Sequence, residues 1–181
     1  MGFLKGKTAI ITGGGRSVLK DGSCGSIGYG IATAYAKEGA NLVITGRNKQ
    51  KLADAKEELE RLYNIKVLPV QADVSAGADN ETVVQHVIDE TIAKFGRIDV
   101  LINNAQASAS GVAANEWGPD GINANIICPL AWTAQLENFQ QAYPEAFEAN
   151  VKMPPAGHYG DVEKEIGRVC VQLASPDFKY M

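Results

Sequence analysis

A glycine-rich turn set between an apolar run and a helical segment constrains this chain more than any other feature. Thr8-Ala9-Ile10-Ile11 reads as a strand. The turn runs from Thr12-Gly13-Gly14-Gly15 to Gly25-Ser26-Ile27-Gly28-Tyr29-Gly30, and Ile31 to Glu38 reads as a helix closed by Gly39. In such a turn the backbone can approach a pyrophosphate, and the free N–H groups at the helix start bind its charge. A second apolar run, Asn41-Leu42-Val43-Ile44-Thr45, arrives where the second strand of a dinucleotide-binding unit belongs. The arrangement predicts a nucleotide cofactor.

The same alternation continues. Leu52, Ala55, Leu59 and Leu62 repeat at helical spacing, and Lys66-Val67-Leu68-Pro69-Val70 reads as a strand ending near Asp73-Val74. A helix follows, with Val84, Val87, Ile88, Thr91, Ile92 and Phe95 on one face and Gly96 as its cap; then comes the strand Val100 to Asn104. Strands with continuous apolar runs, alternating with helices, predict a doubly wound parallel sheet in an α/β/α three-layer, Rossmann-like fold. Ligands of such sheets bind at the carboxyl ends of the strands, where Gly13, Arg47, Asp73 and Asn104 fall. Further on, Ile122 to Pro129 reads as one more strand and Trp132 to Phe147 as a helical cover. Asp161 to Ala174 reads as a helix with Val162, Ile166, Val169 and Leu173 inward.

At 181 residues the chain suits a single domain, 1–181, with a substantial core. Its net charge of −4 gives no reason to expect nucleic acid or an anionic membrane as partner. No apolar run approaches the roughly 18 residues of a membrane span, and Met1 to Lys7 lacks the apolar core of a signal peptide. Cys24, Cys128 and Cys170 form no CxxC pattern and read as reduced thiols of a cytoplasmic protein; no metal site is expected. His86 and His158 are isolated and read as surface or packing residues.

Several motifs, in order and spacing, resemble the short-chain dehydrogenase/reductase family over nearly the whole chain. They are Thr12-Gly13 and Ser26-Ile27-Gly28 at the two ends of the glycine loop, Asp73-Val74, and Asn103-Asn104-Ala105. Glu116-Trp117-Gly118-Pro119, Ile122-Asn123 and Cys128-Pro129 complete the set. The resemblance implies an NAD(P)-dependent oxidoreductase that moves hydride between nicotinamide and a carbonyl or alcohol, as a homo-oligomeric dimer or tetramer. It also implies cofactor contacts at Gly13, Gly15, Ser26, Ile27, Arg47, Asp73, Val74, Asn104 and Ala105. Gly46 leaves no carboxylate at the end of the second strand, and Arg47 follows it. This favours NADP(H) over NAD(H), because a carboxylate there repels a 2′-phosphate and a guanidinium binds it. Arg16 reads as a solvated loop residue, Trp132 as packing near the site mouth, and Ser108 and Ser110 as loop residues.

The chain also departs from the family. Arg16 to Gly25 adds about ten residues to the glycine loop, a length that resembles the enoyl-thioester reductase branch. Ser26, Gln106 and Leu130 stand where the family usually has glycine. The family's catalysis depends on a serine and a Tyr-x-x-x-Lys pair, and this chain has no Tyr-x-x-x-Lys. No catalytic residue can therefore be named. Ser108-Ala109-Ser110-Gly111 runs directly into a segment resembling the tail of the helix that carries that pair. We expect an omitted segment between 111 and 113, about two βα units of about 30 residues each. Ser175 to Met181 resembles the approach to a further strand. The alternative is a nucleotide-binding protein without catalysis. Apolar positions near Trp132, Phe139 and Met153 permit a hydrophobic or steroid-like alcohol as substrate.

Overall fold

A computed structural model describes residues 2–74, 80–104 and 118–178. Strands β1 (Thr8–Thr12), β2 (Asn41–Gly46), β3 (Val67–Gln71) and β4 (Val100–Ile102) form one parallel sheet in the order β3-β2-β1-β4. Helices α1 (Ile27–Lys37), α2 (Lys49–Tyr63) and α3 (Asn80–Phe95) connect them. The expected α/β fold is present, and each strand brings its carboxyl end to the same edge of the sheet.

Both faces of the sheet are covered over β1 and β2, which is why these strands are mostly apolar, while Leu101 of β4 is exposed. Ala9, Ile11, Leu42 and Ile44 pack with Tyr29, Tyr35, Leu52, Ala55 and Leu59 of α1 and α2. Ile10, Val43 and Val70 face the opposite way, toward Val87 of α3. Fully burying one such aliphatic side chain contributes about 1.5–3 kcal/mol. Asp99 ties β4 to the start of β1: its carboxylate accepts from Thr8 N at 2.9 Å, Lys7 Nζ at 3.1 Å and Arg97 Nη2 at 2.6 Å.

The first helix begins four residues earlier than its apolar pattern predicts. It opens at Ile27 and takes in Gly28 and Gly30, although glycine is a poor helix former. Tertiary packing overrides propensity here. A Cβ on Gly28 would lie 2.3 Å from Gly13 O and 2.6 Å from Asn104 Nδ2, so the start of α1 can press on the turn only without a side chain.

Beyond β4 the sequence reading needs correction. Ile122 to Pro129 forms no strand; among the described residues the nearest ladder-like feature is a single bridge between Ala131 and Gly160. A strand needs a neighbour, and among the described residues no strand pairs with β4 on its outer edge. Ile122 and Ile126 are exposed instead. The same open edge explains α3, where Val87 and Thr91 are buried but Val84 and Ile92 are exposed.

The predicted cover over Trp132–Phe147 is two short helices, α4 (Ala134–Ala142) and α5 (Pro144–Asn150), with Pro144 opening the second. The last predicted helix is π-helical over Val162–Gly167 and α-helical, α6, over Arg168–Leu173. The wider π turn shifts the inward face. Val162, Ile166, Cys170 and Val171 are buried, while Val169, expected inward, is exposed. The expected break between 111 and 113, and Ser108 and Ser110, lie outside the described residues.

Candidate functional site

The carboxyl ends of β1 and β2 open into a cleft of about 660 Å³. Gly13, Gly15, Ser26, Ile27, Arg47 and Asn104 all line it. Six of the nine expected cofactor residues thus meet in one cavity. Asp73 and Val74 follow the end of β3 and are not among the cavity-lining residues; Val74 packs against the α3-side core. Ala105 lies outside the described residues.

The turn is held open from below. Gly13 has φ +72°, and the N–H groups of Gly13 and Gly14 both donate to Thr45 O, at 2.9 and 3.1 Å. The chain thereby leaves β1 across the end of β2. Asn104 Nδ2 donates to Thr12 O, so the asparagine side chain links strand ends as well as lining the cavity.

Ser26 is the N-cap position of α1, but its side chain makes no capping bond. Its Oγ is buried and has no hydrogen-bond partner. A buried hydroxyl in that state costs about 1–3 kcal/mol. Here the hydroxyl sits beside the free N–H groups that open an 11-residue helix. A phosphate oxygen at this point would satisfy both. The residues present therefore fit a dinucleotide's pyrophosphate, with Ser26 Oγ and the Ile27 and Gly28 N–H groups as its donors.

At the other end of the cleft, Gly46 closes β2 and Arg47 opens toward solvent. Asn48 caps α2 by accepting from Lys51 N at 3.0 Å, and Lys51 joins the lining. None of the ion pairs among the described residues uses Arg47 or Lys51. Two cations outside those ion pairs thus line the cleft, Arg47 next to Gly46 and Lys51 against Gly15, which suits an additional phosphate. Sequence reasoning found Arg47 and missed Lys51. The signal was the Asn48 cap, which puts residue 51 in the first helical turn beside the cleft.

Arg16 differs from its expected role. Its Nε donates to Glu58 Oε2 at 2.6 Å, so it is a paired residue and not a freely solvated one. The added loop forms a small hairpin, with Val18 bridged to Cys24 and a turn closed by Asp21 and Ser23. The α4 wall contributes Thr133, Ala134, Gln135 and Asn138.

Next to this cleft, and sharing Ile27, Thr133 and Gln135 with it, is a second cavity of about 410 Å³. Pro129, Leu130, Leu136, Phe139 and Tyr159 make its lining mainly apolar. Trp132 is a packing residue, its ring 5.8 Å from Tyr159 and 6.2 Å from Phe147. His86 and His158 are both exposed, and His158 bonds Glu165. All three cysteines are free, and no metal-binding cluster occurs among the described residues. Burial pushes the Cys24 and Cys170 thiols up to about 11.

A parallel doubly wound sheet, a glycine turn at a helix start and a cleft across the strand ends define a dinucleotide-binding α/β protein. Comparison with known proteins gives the family. The model of the short chain dehydrogenases matches residues 7–113, and that described as enoyl-(acyl carrier protein) reductase matches residues 106–181. A 12alpha-hydroxysteroid dehydrogenase of Clostridium sp. is 48% identical over 251 aligned positions, covering 100% of this chain and 94% of the relative. Other curated relatives match over 25% to 41% of their own length. The L-sorbose reductase of Gluconobacter frateurii, solved with NADPH and L-sorbose, superposes with a TM-score of 0.78 at 19% identity, covering 98% of this chain and 92% of its own. A short chain dehydrogenase of Bacillus anthracis gives 0.66 at 28% identity, covering 98% and 92%. The chain belongs to the short-chain dehydrogenase family, NAD(P)-dependent oxidoreductases acting on CH–OH groups.

The 251 aligned positions take in all 181 residues, so about 70 positions of the Clostridium relative have no counterpart here.

Proposed function

We propose that this chain is the cofactor-binding and substrate-covering part of an NADP(H)-dependent dehydrogenase of a hydrophobic, steroid-like alcohol. The observation that carries the reading is the pairing of two adjoining cavities. One holds an unsatisfied serine hydroxyl at a helix start and the cations Arg47 and Lys51. The other is apolar and opens onto it through Ile27, Thr133 and Gln135. The Clostridium relative is a hydroxysteroid dehydrogenase, and a flat apolar alcohol fits a lining of Leu130, Leu136 and Phe139.

A bound nicotinamide dinucleotide would supply the hydride acceptor or donor. Within this chain, Ser26 and the α1 N–H groups hold the pyrophosphate, and Arg47 and Lys51 the 2′-phosphate. α4 keeps water from the nicotinamide end. The proton-transfer pair belongs to the segment we place between 111 and 113. We propose a homo-oligomer as well, which light scattering tests.

The experiment combines intact mass with turnover. The polypeptide isolated from its source is expected to exceed 19.3 kDa and to reduce NADP⁺ with a hydroxysteroid, read at 340 nm. A mass of 19.3 kDa with NADPH binding but no turnover establishes the second reading, a non-catalytic nucleotide-binding protein, favoured by the absence of Tyr-x-x-x-Lys. No NADPH binding at all refutes both. Turnover of an enoyl thioester alone would favour the enoyl reductase branch suggested by the long glycine loop.

A further inference from the structure

The loop inserted between β1 and α1 is fastened at two ends. On one side, Arg16 N donates to Lys51 O at 2.8 Å, which lays the loop on the first turn of α2. On the other, Ala134 N donates to Gly25 O at 2.8 Å and Lys20 N to Glu137 Oε2 at 3.2 Å, which ties it to the start of α4. The two halves of the loop meet where Gly25 N donates to Ser17 O at 2.7 Å. The loop therefore spans the cleft from its α2 wall to its α4 wall, and Gly15, Ser17 and Gly25 line the cavity from it.

One side chain joins this span to the framework. Glu58, in the third turn of α2, accepts from Tyr29 Oη at 2.6 Å through one carboxylate oxygen and from Arg16 Nε at 2.6 Å through the other. Tyr29 is buried in the first turn of α1, one residue after Gly28. Glu58 therefore links three parts of the cleft: the start of the loop, the phosphate-facing turn of α1 and the helix carrying Lys51. Both bonds are short and charge-assisted, the strong class of hydrogen bond. Glu58 itself is partly buried, its side chain 26% exposed, so water competes weakly for its oxygens.

We propose that Glu58 is a positioning residue for the coenzyme: by holding Tyr29 and Arg16 together it presets the loop as the wall of the dinucleotide cleft. This rests on the dinucleotide reading above. A loop fixed before binding has already lost the conformational freedom that the ligand would otherwise have to remove, so affinity rises without any contact from Glu58. The pairing also keeps Arg16 on the carboxylate and out of the cavity, leaving the 2′-phosphate to Arg47 and Lys51.

The test uses Glu58→Gln, which takes the charged acceptor from both bonds, and Tyr29→Phe, which removes the Tyr29 bond alone; each changes the volume little. NADPH and 2′,5′-ADP are titrated by fluorescence, and trypsin cleavage after the exposed Lys20 reports the loop. Both variants are expected to raise the Kd of NADPH and of 2′,5′-ADP about tenfold. Cleavage at Lys20 should quicken in the unliganded variants and be suppressed by NADPH in the wild type. The melting temperature should change far less than a loss of fold would require. A combined variant should cost no more than Glu58→Gln alone, because both act through one carboxylate. Unchanged affinity with unchanged cleavage overturns the proposal, and so does tighter NADPH binding in Glu58→Gln, which would mean that a released Arg16 serves the phosphate. A wild type that binds no NADPH refutes the dinucleotide reading separately. Cleavage at Lys20 then still decides whether Glu58 holds the loop.

Discussion

Asn104 Nδ2 donates to the backbone oxygen of Thr12 at 2.9 Å, joining the end of β4 to the residue before the glycine turn. β4 has only three residues in the sheet, and among the described residues no strand pairs with its outer edge. Together with the Thr12 Oγ1 bond to Ile102 O at 3.3 Å, this bond aligns the two strand ends. Asn104→Ala should lower stability by about 1–2 kcal/mol in urea unfolding. It should also weaken NADPH binding, since Thr12 precedes the turn. A variant with wild-type stability and affinity would refute the link.

Ser26→Ala should separate stability from binding. In the free protein the hydroxyl has no partner, so its removal should leave stability unchanged or raise it by up to about 1 kcal/mol. With coenzyme bound the hydroxyl gains a phosphate oxygen, so NADPH affinity should fall about threefold to tenfold. Thermal melts and titrations moving in the same direction would contradict this placement.

Arg47→Ala should weaken NADPH about tenfold and leave NADH nearly unchanged. The reason is local: Gly46 presents no carboxylate, and none of the ion pairs among the described residues engages the guanidinium. Equal losses for both coenzymes, or a wild type preferring NADH, would reverse the assignment.

Acid should act through Asp99. Burial raises its carboxyl pKa, but Arg97, the Thr8 N–H and Lys7 outweigh that and hold it below the ordinary 3.8. A depressed folded value stabilises the fold above the unfolded value, and that contribution is lost as pH falls through the folded one. Asp99→Asn should therefore cost about 1–3 kcal/mol at neutral pH and much less near pH 3, measured by urea unfolding at each pH.

Alkali should act through the thiols. Cys24 and Cys170 move from 9.0 in the unfolded chain to about 11 in the fold, both mainly by burial. Raised folded values mean that the stabilisation is whole below pH 9 and lost between pH 9 and 11. The slope is up to about 1.4 kcal/mol per group per pH unit. Cys24→Ser with Cys170→Ala should flatten the stability curve in that window.

The layered fold was readable because its signals are local. The periods of Leu52, Ala55 and Leu59 and the apolar runs at Ile10 and Val43 state which surfaces must be buried, and burial on both faces requires a parallel sheet with helices on each side. Gly13, Ser26 and Arg47 were readable because a turn between strand and helix leaves few places for a phosphate. What the sequence could not decide depends on neighbours distant in the chain. Ile122 to Pro129 has the composition of a strand, but a strand exists only through a partner's hydrogen bonds, and beside β4 the described residues supply none. Val169 lost its inward position to a π turn whose extra residue changes the face of the helix. Arg16 found Glu58 across 42 positions, and no periodicity records that. Local pattern determines what must be hidden from water; only the assembled tertiary structure determines which polar groups then meet.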